Sequence, residues 1–309
     1  MLPRSRSFIA AVAAVGLVLA GCSTQTAGTA EAAASAGTLQ TTDGAPGSSP
    51  TDGAPGSGHT DGPSAIASTA GGDGAAVDPQ TWAQQLQDGM TSVTSLTGSV
   101  EVIGPIKERA TLKETLKGGR LKAAEMAMSL VESGSSIPIN MRLINGRAYL
   151  GGAAIISLVG SKAAGKQWVL LDAGSSDPTI AAIGKSIGSM LQLAGTESYV
   201  FFAKAAKSIT TVGMESVGSF DATKYAVDID LTKIAAVLPP DLKDYGQQIE
   251  ASGMTDVKST YWIEDHHRVV KTAVGLTVHG ITQHTTVTID AFNVPVTIEA
   301  PAASTVYNG

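Results

Sequence analysis

Residues 139–151, INMRLINGRAYLG, decide the fold. Asn145-Gly146 stands between two runs that alternate apolar and polar side chains, and both central positions of a type I′ turn need positive φ, which Asn-Gly accepts readily. The stretch reads as a tight antiparallel hairpin. Upstream, 97–103 (TGSVEVI), 109–117 (RATLKETLK) and 121–130 (LKAAEMAMSL) are short runs separated by Gly-Pro and Gly-Gly, the punctuation of a meander. In the last run Ala124, Met126, Met128 and Leu130 share one strand face, with Lys122 only at its beginning, while Glu125 and Ser129 take the other.

Downstream, Gln167–Asp172 (QWVLLD) reads as a buried strand, and then the period changes. Ile180, Ile183, Ile187, Met190, Leu191 and Ala194 recur at helical spacing, with Asp177-Pro178 as a start signal and Gly195 as a stop. Gly184 and Gly188, four apart on this helix, suit either close backbone packing or room for a ligand. A second helix is expected over Glu197–Lys207, strands over 208–217 and 223–230, and a short helical stretch within 231–250 around Pro239-Pro240. Strands return at 257–264, 267–278 and 281–290. Strands, helices, strands, helix, strands is the order of an α+β fold with an antiparallel sheet and helices on one face, not of a parallel βαβ fold.

The single cysteine, Cys22, can close no intrachain disulfide and join no thiol-based metal site. Its setting is informative. Arg4 and Arg6 precede an uncharged apolar stretch, Phe8 to Ala20, that is shorter than the roughly 20 residues a spanning helix needs. Residues 1–21 therefore read as a secretory signal, and Leu19-Ala20-Gly21-Cys22 resembles the bacterial lipobox, in which the cysteine is lipidated. The alternative is a conventional signal with an incidental cysteine. Residues 22–78 hold almost nothing large and apolar and repeat Thr-Asp-Gly-Ala-Pro-Gly-Ser from Thr42 and Thr51, so they read as a flexible tether. Its random-coil reach is on the order of 40 Å. Glycosylation or partner binding is the rival use of such a repeat. Residues 79–309 carry 19 basic and 21 acidic side chains, no footprint for nucleic acid, and are enough for one domain.

Chemical motifs fail on context. Gly160-Ser-Lys-Ala-Ala-Gly165-Lys166 has the glycine and lysine spacing of a phosphate loop, but Gln167 stands where Ser or Thr would bind magnesium and a strand follows where a helix is needed. Glu264-Asp265-His266-His267 reads as a solvated hairpin tip, since adjacent strand residues point to opposite faces and cannot easily converge on a metal. His279 and His284 could become neighbours within one hairpin. No G-x-S-x-G is present, although the members of a Ser/His/Asp triad come together only in the fold; the expectation is a protein that is not an enzyme, with no catalytic residues, cofactor or metal, an envelope hydrolase being the third reading.

Leu143-Ile-Asn-Gly-Arg-Ala-Tyr149-Leu150, Gln167-Trp168-Val-Leu-Leu, Gly218 to Leu231, Tyr261-Trp262-Ile263-Glu264-Asp265 and Phe292 to Pro301, taken in order behind the lipobox, resemble actinobacterial LppX/LprG-type lipoproteins, related in shape to the LolA/LolB carriers. The departures are His266-His267, where relatives turn through glycine, and the long repetitive tether. The resemblance implies a strongly curved antiparallel sheet, an unclosed β-barrel, packed over helices on its concave face, with residues 79–309 as a LolA-like lipid-binding domain. It implies a cavity for acyl chains of a membrane lipid or lipoglycan, and an envelope transport partner. Met126, Met128, Leu130, Ile180, Ile183, Ile187, Met190 and Leu191 are the candidate lining, the other reading being that they close on one another as ordinary core. The expected place is the outer face of the cytoplasmic membrane, reached through lipidated Cys22. A surface interaction or cell-wall module with a filled core is the alternative function.

Overall fold

The computed structural model describes residues 74–309, apart from 105–106, 133–134, 192–195, 240–241, 244–246, 248–254 and 279–280. Cys22, the signal and nearly all of the tether lie outside the described residues, as do His279, Pro240 and the side chains of Ile187, Gly188, Met190 and Leu191.

Among the described residues, thirteen strands form one sheet. Two antiparallel meanders build it. The first comprises β2 (Ser95–Ile103), β3 (Lys107–Lys117), β4 (Arg120–Glu132), β5 (Ser135–Ile144), β6 (Arg147–Gly151) and β7 (Trp168–Leu171); the second, β8 (Ala206–Val217), β9 (Phe220–Asp230), β10 (Asp256–Glu264), β11 (Val269–Val278) and β12 (Ile281–Phe292). They join where β12 pairs with β2, Val287 opposite Val100. β1 (Ala76–Val77) lies on β8 at one edge, and β13 (Val306–Tyr307) runs parallel to β7 at the other. The two edges do not meet, so the curved sheet is an unclosed barrel.

The hairpin of residues 139–151 forms with Ile144 opposite Arg147, and Asn145 and Gly146 take φ of 51° and 75° as a type I′ turn requires. Period-2 alternation then sorts each strand: β3 reads exposed at Arg109 and Lys113 but buried at Glu108, Ala110, Leu112, Glu114 and Leu116.

Five helices among the described residues contribute to one hydrophobic core with the inner face of the sheet: α1 (Pro79–Thr91), α2 (Ala153–Val159), α3 (Pro178–Leu191), α4 (Glu197–Lys204) and α5 (Ile234–Val237). The α+β architecture with helices on one face is thus the one the alternation implied. α1 and α2 are additions to the sequence reading. α1 starts where the Asp78 carboxylate accepts the Thr81 N–H at 2.8 Å, with Pro79 in the first turn, and it buries Trp82, Ala83, Leu86 and Met90 on one stripe. The 3-10 turn that follows α2, Gly160–Ala163, lies in the glycine-lysine stretch that fails as a phosphate loop. α4 ends at Lys204, not Lys207, because β8 claims the chain from Ala206. Gly184 on α3 serves close packing: a Cβ there would lie 2.7 Å from the Asp172 carbonyl carbon.

After β12 the chain runs as a strap from Asn293 to Thr305. Asn293 N–H donates to the Ser95 carbonyl, Arg142 reaches the Glu299 carbonyl, and Lys166 the Ser304 carbonyl, before β13 docks on β7. Outer-face ion pairs such as Arg109–Glu101 and Lys113–Glu125 are solvated and contribute about 0–1 kcal/mol each. Each buried Leu, Ile or Met contributes roughly 1.5–3 kcal/mol, so the inner face sets stability.

Candidate functional site

The inner face has two chemically different halves. Over the second meander it carries an aromatic cluster. Trp82 of α1 meets Tyr225 and Tyr261 edge to face at 5.6 and 5.3 Å, and Tyr199 of α4 meets Tyr261 at 6.3 Å.

In the first meander the wall is aliphatic and rich in methionine. Cross-strand registry sets Met126 opposite Met141 and Met128 opposite Ile139, flanked by Leu130 and Leu143. Met126, Met128, Leu130 and Ile180 are all buried in the same core, and Ile183 packs against it half-buried. The structure thus brings these five candidate residues together. Unbranched thioether chains adapt to irregular contacts at little cost, which suits a wall whose neighbour can vary.

The same face carries two carboxyls that the sequence reading passed over. Glu108 and Glu114 stand on the buried side of β3, 2 % and 5 % exposed. Both Glu108 carboxyl oxygens lack a hydrogen-bond partner among the described residues. Burial pushes each of the two carboxyls up to about 7. The alternation of RATLKETLK, with Ala110, Leu112, Glu114 and Leu116 on one side, was the signal available for Glu114.

Glu264 is the opposite case and departs from the solvated-tip reading, which holds for the exposed Asp265, His266 and His267. Its side chain is buried, and its carboxylate accepts from Arg268 Nε at 2.8 Å and Nη2 at 3.1 Å, from the His266 and Arg268 backbone N–H groups, and lies 2.9 Å from His266 Nδ1. His267, at φ 60°, supplies the left-handed residue that glycine would otherwise supply. Among the described residues no three His, Cys, Asp or Glu side chains gather around a common point.

A cavity of about 570 Å³ opens at the corner of β5, β6, β7 and α2, lined by Asn140, Gly151, Ile156, Lys166, Gln167 and Trp168. Trp168 lies against Gly151 and carries the Arg142 guanidinium 5.0 Å from its ring centre. On the outer side of the second meander, Trp262 is held between Lys224 and Lys271 at 5.1 and 4.4 Å within a small cluster with Val217, Ala222 and Val270.

No family model and no curated protein matches the chain. Among solved structures it is similar to the Mycobacterium tuberculosis lipoprotein LppX at 12 % identity and a TM-score of 0.40, covering 72 % of this chain and 98 % of that one. LprF from Mycobacterium bovis matches at 16 % identity and 0.44, covering 73 % and 97 %. A LolA superfamily protein from Nitrosomonas europaea matches at 9 % identity and 0.28, covering 72 % and 96 %.

Proposed function

We propose that this chain is a lipid-anchored envelope protein that binds acyl chains against the methionine-rich inner face of its first meander and carries or presents them, without catalysing a reaction. The observation that carries this reading is the wall itself: Met126, Met128 and Met141 in adjacent register on a face that also holds a buried carboxyl without a partner among the described residues. A sealed apolar core gains nothing from such a carboxyl, whose desolvation costs several kcal/mol when ionised. Binding would rest on burying chain methylenes at about 0.8 kcal/mol each. Attachment at the outer face of the cytoplasmic membrane is assigned to Cys22 on its lipobox setting, with the tether giving the domain its reach. A second reading, a module that docks a partner protein or wall polymer, is favoured by Val212 and Met214, 44 % and 62 % exposed on β8.

Two substitutions test the proposal. Met128→Trp is expected to cut uptake of a fluorescent fatty acid several-fold with the fold retained by circular dichroism. Unchanged uptake by a folded Met128→Trp protein contradicts acyl binding at this wall. Cys22→Ala is expected to move the protein from the membrane pellet to the soluble fraction.

A further inference from the structure

Glu108 shares its row of the inner face with a second buried polar residue. Registry sets Glu108 opposite Val102 on β2 and Leu130 on β4, and Val102 opposite Thr285 on β12. Thr285 is 8 % exposed and belongs to the same buried face. Two residues further along β12 stands Gln283, whose side-chain nitrogen is buried and also lacks a partner among the described residues. Gly104 puts no side chain beside it: a Cβ there would lie 3.5 Å from the Gln283 Cα and Cβ. This row lies one step from the β2–β3 turn. Behind it come two rows that are apolar, through Ala110 and Met128, then Leu112 and Met126.

Glu108 and Thr285 are two strands apart, roughly 10 Å between backbones. Glu108, Thr285 and Gln283 thus place two carboxyl oxygens and an amide nitrogen without partners among the described residues, and a hydroxyl, at one end of an aliphatic wall. The charges select among heads. No Lys or Arg occupies a described inner-face position on β2 to β5 or on β11 and β12, so the described strands offer a phosphate there a carboxyl and no cation. A hydroxyl group, both donor and acceptor, satisfies Glu108 in either protonation state and can accept from the Gln283 amide.

Resting on the acyl-binding reading above, we propose that Glu108, Gln283 and Thr285 form a subsite for the uncharged, hydroxyl-bearing head of an acylated ligand, whose chains lie along the apolar rows behind it. An unmade hydrogen bond at a buried site costs about 1–3 kcal/mol, so the head contributes roughly tenfold or more in affinity.

The test uses the full chain and three water-soluble probes: 1,2-dioctanoylglycerol, its 3-O-methyl ether and dioctanoyl phosphatidic acid, measured by calorimetry. Dioctanoylglycerol is expected to bind about tenfold more tightly than the ether and than the phosphatidic acid. Glu108→Leu is expected to erase the preference over the ether, and Glu108→Gln to keep part of it. A thermal melt confirms that both variants fold. Equal affinities for the alcohol and its ether in the wild type, a preference kept in Glu108→Leu, or tighter binding of the phosphatidic acid overturns the subsite. If none of the three binds, the acyl-binding reading falls and the subsite with it; if the ether binds as well as the alcohol, the subsite alone falls.

Discussion

Arg268 forks onto Glu264, its Nε and Nη2 reaching the two carboxylate oxygens at 2.8 and 3.1 Å across the β10–β11 turn. Burial opposes ionisation of Glu264, but the hydrogen bonds from Arg268 and His266 more than offset it, bringing the carboxyl from its ordinary 4.5 down to about 2. Because the folded value is the lower one, this stabilisation is complete above about pH 4.5 and is lost as pH falls toward 2. Glu264→Gln is expected to lower stability at pH 7 by about 1–3 kcal/mol and to flatten the acid limb of the stability curve. Urea unfolding across pH 2.5–7 checks both.

Glu108 and Glu114 run the other way. Each is raised from 4.5 to about 7 by burial, so the folded protein binds more protons than the unfolded chain and stability declines as pH rises from about 4.5 to 7, then levels off. The melting temperature of the ligand-free protein is expected to be several degrees higher at pH 5 than at pH 8. Glu114→Gln should shrink that difference, and an undiminished difference in this variant would show that Glu114 is not one of its sources.

Gly89 lies on the buried side of α1 against the β10–β11 turn, and a Cβ there would stand 2.4 Å from the His266 and His267 carbonyl oxygens. Alanine is the better helix former by about 1 kcal/mol, yet Gly89→Ala is expected to destabilise by about 2 kcal/mol or more because backbone must move. Chemical denaturation decides the sign.

The strap is clasped by Arg142, which pairs with Glu125, donates to the Glu299 carbonyl and stacks on Trp168. Arg142→Ala is expected to cost little global stability, about 1 kcal/mol, but to speed amide exchange in β13 and in Gln167, whose N–H donates to the Thr305 carbonyl. Exchange confined to wild-type rates there would mean that β13 holds the strap without Arg142.

The strands were legible because their burial alternates with period 2: Met126 and Met128 fell on the buried face as read, and Asn145-Gly146 marked its turn. α3 was legible from Ile180 and Ile183 at helical spacing. α1 carried equally readable marks, Asp78 before Pro79 and then Trp82, Leu86 and Met90, but it directly follows the low-complexity segment and was passed over. The long-range pairing of β12 with β2 leaves no local trace, so nothing in the sequence placed Thr285 and Gln283 near Glu108. Glu264 was misread for a related reason: a run of four polar residues suggests solvent, whereas its burial depends on Arg268 and on α1 closing over the turn.

Native mass spectrometry of the full chain purified from membranes in mild detergent tests the central claim most directly. The expected result is a noncovalent adduct of lipid mass that leaves on collisional activation, is recovered by organic extraction, and is depleted in Met128→Trp. A spectrum of the bare protein alone, unchanged after incubation with lipid extract, would contradict it.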